Sequence, residues 1–269
     1  MIPAAVRYLR AGTFDEAFGA LADPEAKVLA GGQSLLPVLK LRVARPSLLV
    51  DIGALRAGGA EARDDGVRVD ALTTWQALEA LPELERPGFA AIADAARVIG
   101  DLQVRNRGTL GGSLVHADPA SDMPAVALAL GAKLTLRSAV GERSVPSSEF
   151  FVGPFLTAIA PGELLVDVRF PLPPEGSASA YVKVEHPASG FALAGAAAHV
   201  GADGSVSVAV TGVAAHPLLL PVDADPREAL AAVEIYGDGF APADYRRHLA
   251  GVVVRRALER AKARAGGSA

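Results

Sequence analysis

The sequence predicts an α+β chain in two domains, and three observations carry that reading. Up to Pro171, short apolar runs alternate with helical turns, two of them broken by paired glycines. The stretch Pro171-Leu-Pro-Pro-Glu-Gly-Ser-Ala-Ser179 then has the Pro/Gly/Ser composition of a domain boundary. Beyond it the strands come first and the helices last, the segregated order of an α+β unit.

The elements read in order as follows. Thr13-Phe-Asp-Glu16 is a capping box that starts a helix running to about Leu21. Lys27 to Ala30 is a short buried strand ending at Gly31-Gly32-Gln33-Ser34. Leu35 to Leu41 is a helical turn, and Ser47 to Ile52 a second strand. Val67 to Leu72 is a strand, followed by a second capping box at Thr73-Thr-Trp-Gln76. Phe89 to Ile99 has helical spacing with Gly100 as its stop. Arg105 to Asp122 then reads as a glycine-rich loop and a polar turn, and Met123 to Leu130 as a helix. Lys133 to Arg137 and Glu163 to Pro171 are strands, with a helical turn from Ser147 to Phe151. In the second domain Ala180–Glu185, Phe191–Val200 and Ser205–Val213 are strands, the last two joined at Asp203-Gly204. Asp225–Val233 and Pro242–Ala263 are helices. The longer one sets Leu249, Val252, Val253 and Leu258 against an Arg-rich face, which reads as a solvated face or a dock for an acidic partner. The tail from Gly266 is expected to fray.

Composition narrows the function. The 269 residues are 51% apolar with mean hydropathy +0.30, enough for a sizeable core. A net charge of −4 without a basic block argues against nucleic acid as a partner. No apolar run approaches the roughly 18 residues of a membrane span, and Met1 to Arg10 lacks the layout of a signal peptide. A cytoplasmic protein is expected. With no cysteine, the chain can hold neither a disulfide nor a cysteine-ligated iron–sulfur cluster.

The glycine pairs are the chemical signal. Glycine lets backbone approach a ligand closely, and successive backbone N–H groups can form an anion-binding concavity. Ala30-Gly-Gly-Gln-Ser34 has neither the Gly-x-Gly-x-x-Gly spacing of a dinucleotide turn nor a P-loop pattern, and alone it reads as a tight turn. Arg105-Asn-Arg-Gly-Thr-Leu-Gly-Gly-Ser113 supplies a second such stretch.

Together the two segments are specific. Ala30-Gly-Gly-Gln-Ser-Leu-Leu-Pro37 with Lys40, Arg42, Pro46 and Asp51-Ile52, and Asn106-Arg-Gly-Thr-Leu-Gly-Gly-Ser113 with His116-Ala-Asp-Pro-Ala-Ser-Asp122, resemble the two flavin-binding segments of the medium subunits of molybdenum hydroxylases. These form the carbon monoxide dehydrogenase and xanthine dehydrogenase family. Tyr181-Val-Lys-Val-Glu185, Asp244 to Leu249 and Arg255 to Leu258 extend the likeness over nearly the whole chain.

The resemblance implies a para-cresol methylhydroxylase-type FAD-binding domain at 1–172, with subdomains of about 1–55 and 56–172. A C-terminal domain at 178–269, a three-stranded antiparallel sheet plus helices, would follow. It places FAD against Leu29, Ala30, Gly31, Gly32, Gln33, Ser34 and Leu35, and against Thr109, Leu110, Gly111, Gly112, Ser113 and Ala117. Backbone N–H groups of Gly31–Ser34 and Thr109–Ser113 would bind the pyrophosphate, helped by the Ser34 and Thr109 hydroxyls. Asp122 matches the acid on the flavin's polar chain, and also suits the start of a helix. Lys183 and Leu165 match isoalloxazine contacts, where a lysine would favour the anionic reduced flavin. Ile99 matches a position near the adenine or ring system, and Phe191 is placed to stack on the ring. The plainer readings are a solvent-facing Lys183, core roles for Leu165 and Ile99, and a structural His116.

The implied protein is an FAD-binding electron-transfer subunit with no catalytic residue and no metal ligand of its own. Its partners would be a large molybdopterin subunit and a small subunit with two [2Fe–2S] clusters, as a dimer of heterotrimers. Electrons would pass from the clusters through FAD to a quinone, oxygen or NAD. The alternatives are a free-standing flavin oxidoreductase like the UDP-N-acetylenolpyruvoylglucosamine reductases, or a docking subunit with a vestigial flavin site. Two departures stand out: Ser113 where many relatives carry Asn, and His186 to Phe191 in place of an Arg- and Asp-containing segment.

Overall fold

The structure is a computed structural model that describes residues 2–55, 59–221 and 226–266. Strands β1 (Arg7–Arg10), β2 (Ala26–Leu29) and β3 (Leu48–Asp51) form a parallel sheet with β3 in the centre. Helix α1 (Phe14–Ala20) connects β1 to β2, and α2 (Leu35–Lys40) connects β2 to β3. The Thr13 hydroxyl accepts from the Glu16 N–H at 3.2 Å. The Glu16 carboxylate reaches back to Gly12 N–H at 2.7 Å, one residue earlier than a standard capping box. Strand β1 is exposed along its length and carries no alternation, so its sequence gave no strand signal.

The second unit is a five-stranded antiparallel sheet of order β4-β5-β10-β6-β7. Its strands are β4 (Ala60–Arg63), β5 (Gly66–Asp70), β6 (Lys133–Ser138), β7 (Gly141–Pro146) and β10 (Leu164–Pro171). Between β5 and β6 lie helices α3 (Trp75–Leu78), α4 (Ala90–Val98), α5 (Leu102–Arg107), α6 (Leu110–His116) and α7 (Met123–Ala129). Helix α8 (Ser147–Phe150) and a hairpin of β8 (Phe151–Gly153) and β9 (Leu156–Thr157) lie between β7 and β10. Central β10 joins the two units through a bulge between Leu165 and Asp167. Leu164 and Val166 pack with Val50, Ile52 and Phe18 of the first unit, while Leu165, Val168 and Phe170 enter the main core.

Two helices replace the loop expected after Gly100. Asp101 caps α5 by accepting from Val104 N–H, and Thr109 caps α6 by accepting from Gly112 N–H. What concealed the helices was their length and the glycine pair inside α6, since glycine costs about 1 kcal/mol in a helix interior. The second capping box also differs: Thr74 rather than Thr73 caps α3, and the Thr73 hydroxyl donates to Gly59 O.

The third unit is a sheet of order β11-β12-β13-β14: β11 (Ala178–Glu185), β12 (Ala192–Val200), β13 (Val206–Thr211) and β14 (Leu218–Leu219). Two-residue β14, too short to read from sequence, makes it four-stranded rather than three-stranded. Gly204 turns the β12–β13 hairpin at φ +83°. Helix α9 (Pro226–Ala231) precedes α10 (Ala243–Gly266); Asp225 and residues 267–269 lie outside the described set.

Helix α10 packs on one face of this sheet through Leu249, Ala250, Val253, Val254, Ala257 and Ala261, while α4 and α7 cover the other face. That explains β12, whose Ala-Leu-Ala-Gly-Ala-Ala-Ala run is buried throughout. A strand covered on both faces by closely approaching helices has room only for small side chains. The Arg-rich face of α10 is structural in part. Arg264 forks onto Asp94 of α4 at 2.7 and 2.9 Å, and Arg246 donates to Leu193 O and Gly212 O at 2.9 and 2.7 Å. Among the described residues no helix is long and apolar enough to cross a membrane.

Candidate cofactor site

The fold brings the two glycine segments into contact. Strand β2 delivers Ala30 and Gly31 to the surface, and Gly32 turns at φ +77° so that its carbonyl accepts from Leu36 N–H at 3.0 Å and starts α2. A Cβ on Gly31 would lie 2.1 Å from Arg107 O and 2.9 Å from Gly108 Cα. Gly31 is therefore glycine because the backbone ahead of α6 runs directly against it. On the other side, a Cβ on Gly112 would lie 3.8 Å from the Ala30 Cβ.

The two segments contribute differently. The N–H groups of Gly31, Gly32, Gln33, Ser34 and Leu35 have no acceptor among the described residues. The Ser34 side chain makes no capping bond either. In the second segment most amides are already engaged: Leu110 donates to Thr73 O (2.9 Å), Gly111 to Ala71 O (2.7 Å), Gly112 to the Thr109 hydroxyl (3.1 Å) and Ser113 to Thr109 O (3.1 Å). Thr109 is buried, and its hydroxyl oxygen serves as this cap. Gly111 is wedged against Ala71, to which an added Cβ would approach within 2.6 Å, whereas Gly112 is exposed. The first segment thus presents donors, and the second presents bare backbone surface at Gly112 beside the half-buried Ser113.

The loop after α6 is held by the C-terminal sheet. Ala117 ends the helix in the left-handed region at φ 47°. Pro119 O accepts from Gly212 N–H (2.8 Å) and the Thr211 hydroxyl (2.9 Å), Ser121 O from that hydroxyl (2.7 Å), and Ala120 O from Ala192 N–H (3.2 Å). Asp122, at the start of α7, is 5% exposed. Its Oδ1 accepts from the Tyr181 phenol at 2.5 Å and its Oδ2 from Lys183 Nζ at 3.2 Å. Lys183 spends its other protons on Val98 O (2.8 Å) and Gly190 O (2.6 Å), and its side chain is 4% exposed. It is neither a solvent-facing lysine nor one with a free donor.

Burial pushes the Asp122 carboxyl up to about 6, against the pull of Lys183 and the Tyr181 hydrogen bond. Burial and the adjacent carboxylate push the Tyr181 phenol well above its usual range, so it is the donor in this pair. His116 is lowered by burial and its ring packs 5.2 Å from Phe155, a structural position.

The remaining candidates spread outward. Leu165 and Leu110 are buried in the main core, Ile99 is half-buried at the end of α4, and Leu29 and Leu35 are half-buried beside the first glycine pair. Phe191 is 42% exposed and closes the turn that begins at His186, whose N–H donates to Phe191 O at 2.7 Å. No cluster of metal ligands occurs among the described residues. The sequence reading took Tyr181 only as part of the C-terminal likeness and Gly195 only as part of a strand. Tyr181 precedes Lys183 by two positions on one strand face, which places both toward Asp122; that spacing was the available signal.

Residues 4–173 match the model of the FAD binding domain in molybdopterin dehydrogenase. The carbon monoxide dehydrogenase medium chain of Afipia carboxidovorans is 37% identical, over 98% of this chain and 99% of its own length. The chain belongs to the FAD-binding medium subunits of the molybdenum hydroxylase family. Its members include the 6-hydroxypseudooxynicotine dehydrogenase complex subunit alpha of Paenarthrobacter nicotinovorans, 36% identical over 98% of this chain and 97% of that one. In three dimensions the chain matches carbon monoxide dehydrogenase from Hydrogenophaga pseudoflava with a TM-score of 0.90 at 35% identity, over 98% and 99% of the two chains. As a medium subunit it is an oxidoreductase flavoprotein component whose cofactor is FAD. The residues present fit that group: the backbone donors at Gly31–Leu35, unpaired among the described residues, could bind a dianionic pyrophosphate without need of a lysine, beside the exposed backbone of Gly112.

Proposed function

We propose that this chain is the electron-transfer subunit of a three-part molybdenum hydroxylase, carrying FAD between [2Fe–2S] clusters on a small partner and an external acceptor. The carrying observation is the contact between the Gly31 and Gly112 segments, which sets free amide donors beside bare backbone. Bound FAD supplies the redox chemistry, taking electrons singly and storing two. The chain's own residues bind and orient it. Gly31 to Ser34 hold the pyrophosphate, Ser113 and Gly112 line its other side, and Asp122 meets the polar chain. Lys183 fixes Asp122 and Gly190, so the turn from His186 to Phe191 is held near the cofactor with Phe191 as its exposed aromatic. With no cysteine, the chain leaves the clusters to another subunit. The molybdopterin lies on a large subunit, and the assembly is a dimer of heterotrimers. Substrate choice resides on the large subunit too: carbon monoxide and 6-hydroxypseudooxynicotine dehydrogenases use medium chains about equally similar to this one.

Purification of the tagged chain from its native host tests this reading. The expected sample is yellow, releases FAD on denaturation and brings molybdenum- and iron–sulfur-containing subunits with it. A flavin-bearing chain that purifies alone supports a free-standing oxidoreductase instead, and a chain that takes up no FAD on reconstitution overturns the proposal.

A pH dependence follows from Asp122. Its folded-state value of about 6 lies above the ordinary carboxylate range, so the folded chain binds a proton that the unfolded chain has lost. This group's contribution to stability therefore falls as pH rises through roughly 4 to 6. Cofactor affinity has the opposite sign, because ribityl hydroxyls donate to the charged form. FAD affinity is expected to be flat above about pH 7 and to weaken below pH 6, with no such break in Asp122→Asn. Fluorescence titration across this range measures it, and an identical break in the Asn variant would count against Asp122.

A further inference from the structure

We propose that Tyr181 is a positioning residue of the flavin site: its phenol, seated in the space left by Gly195, fixes the Asp122 carboxylate in the orientation that meets the cofactor. The inference rests on the reading of Asp122 as a cofactor contact and adds the part that holds it. The phenol lies 2.5 Å from Asp122 Oδ1, and the whole residue is 2% exposed, so it acts on Asp122 and has no path to a ligand itself. Lys183 holds Oδ2, and its own anchors on Val98 O and Gly190 O prevent it from following a moving carboxylate. A carboxylate gripped at both oxygens cannot rotate, yet it keeps lone pairs for ligand hydroxyls.

The phenol is itself pinned. Tyr181 N–H donates to Asp94 at 3.1 Å, and its carbonyl accepts from Arg260 at 3.3 Å. Diagonally across on β12, where Gly195 pairs with Lys183, a Cβ at Gly195 would come within 2.2 Å of the phenol oxygen, so only glycine leaves the ring its place. The Tyr181 hydroxyl reaches from the C-terminal sheet to a residue of the flavin domain, and the same sheet fixes the Pro119 and Ser121 carbonyls through Thr211. The C-terminal sheet thus presets the Asp118–Asp122 side of the site before the cofactor arrives. The charged groups set around Asp122 are Lys183 and, 4.0 Å from Lys183 Nζ, Glu185.

A double-mutant cycle on the full chain tests the proposal, with FAD dissociation constants by flavin fluorescence from pH 5 to 8 and thermal unfolding alongside. Tyr181→Phe keeps the ring and removes the hydroxyl. It is expected to weaken FAD about tenfold at pH 7 and to move the acid-side loss of affinity to higher pH, because the phenol favours the charged carboxylate. Added to Asp122→Asn, the same change should alter affinity less than twofold. Thr211→Val, which frees the Ser121 carbonyl and removes one of two donors from that of Pro119 while leaving both partners of Asp122 in place, should weaken FAD without moving the pH midpoint. Equal weakening by Tyr181→Phe in both backgrounds, or a midpoint that Thr211→Val moves equally, overturns the positioning role. Asp122→Asn without effect in a chain that binds FAD removes the Asp122 contact and this inference with it. A wild-type chain that takes no FAD instead defeats the functional reading as a whole.

Discussion

Gly31→Ala is expected to strip FAD from a chain that remains folded. The added methyl would sit 2.1 Å from the Arg107 carbonyl oxygen and 2.8 Å from its carbon. A backbone group cannot swing aside as a side-chain tip can, so the two segments must part. Overpacking of this kind costs about 1–3 kcal/mol, equivalent to a fall in Tm of several degrees for a chain of this length. Cofactor affinity should suffer more, because parting the segments misplaces several amide donors at once. Hydrogen bonds to charged groups are worth about 1.5–3 kcal/mol each, so losing two weakens FAD on the order of 100-fold or more. The flavin-to-protein ratio after gel filtration, read with thermal unfolding, is the measurement. Gly19→Ala in α1 is the control: nothing lies within 4 Å of its added Cβ, and flavin content should not change. Full flavin occupancy in Gly31→Ala would show that contact between the segments is not what holds the cofactor.

The same geometry separates the glycines that the sequence presents as equivalent. Gly111 and Gly112 are neighbours in one motif, yet Gly111 is wedged against Ala71, while Gly112 is exposed and an added Cβ there would meet the Thr109 hydroxyl oxygen at 2.7 Å and the Ala30 Cβ at 3.8 Å. Valine at Gly111 would therefore disturb the packing of α6 on the strand-end backbone before it disturbed a ligand. A side chain at Gly112 would instead crowd the Thr109 hydroxyl that caps α6, so flavin loss there has to be read beside thermal unfolding. Paired motifs say that backbone must come close; only the fold says whether to protein or to cofactor.

Legibility elsewhere followed how locally each feature is determined. Long elements with their own periodicity or caps, such as α1, α4, α10 and β10, could be read directly, because caps and apolar spacing act over a few residues. Strand β1 and the two-residue β14 could not, since their pairing is decided by distant partners. The site divides in the same way. Gly31 and Gly112 are marked by composition, whereas Lys183 was marked only by the resemblance, and by its own pattern it read equally well as a surface lysine on a strand. Its burial depends on Val98, Asp122 and Gly190, which contact it only in three dimensions. The role of Tyr181 was hidden for that reason, and Gly195 lay within a small-residue run that reads simply as tight packing.

Gly195→Ala should give the larger loss of stability. Strand interiors generally gain from replacing glycine, because the substitution lowers the entropy of the unfolded chain. Here the sign reverses. The new Cβ would lie 2.2 Å from the Tyr181 hydroxyl and 2.9 Å from Thr211 Cγ2, in a strand covered on both faces. If the phenol moves, Asp122 loses its 2.5 Å partner and Lys183 is left holding a buried carboxylate alone. If the strand moves, its ladder to β11, which pairs Lys183 with Gly195, is strained. Losing a hydrogen bond to a charged group costs about 1.5–3 kcal/mol and overpacking about 1–3 kcal/mol more, so Tm should fall by roughly 10 °C, and flavin should be lost with it. Tyr181→Phe on the same background separates the two causes. Removing the hydroxyl relieves the closest contact but not the 3.0 Å approach to the ring carbon or the one to Thr211. Part of the lost stability should therefore return while flavin affinity stays low. A Gly195→Ala chain that melts with the wild type would mean that the phenol has room the geometry denies it, and the grip on Asp122 would then need another source.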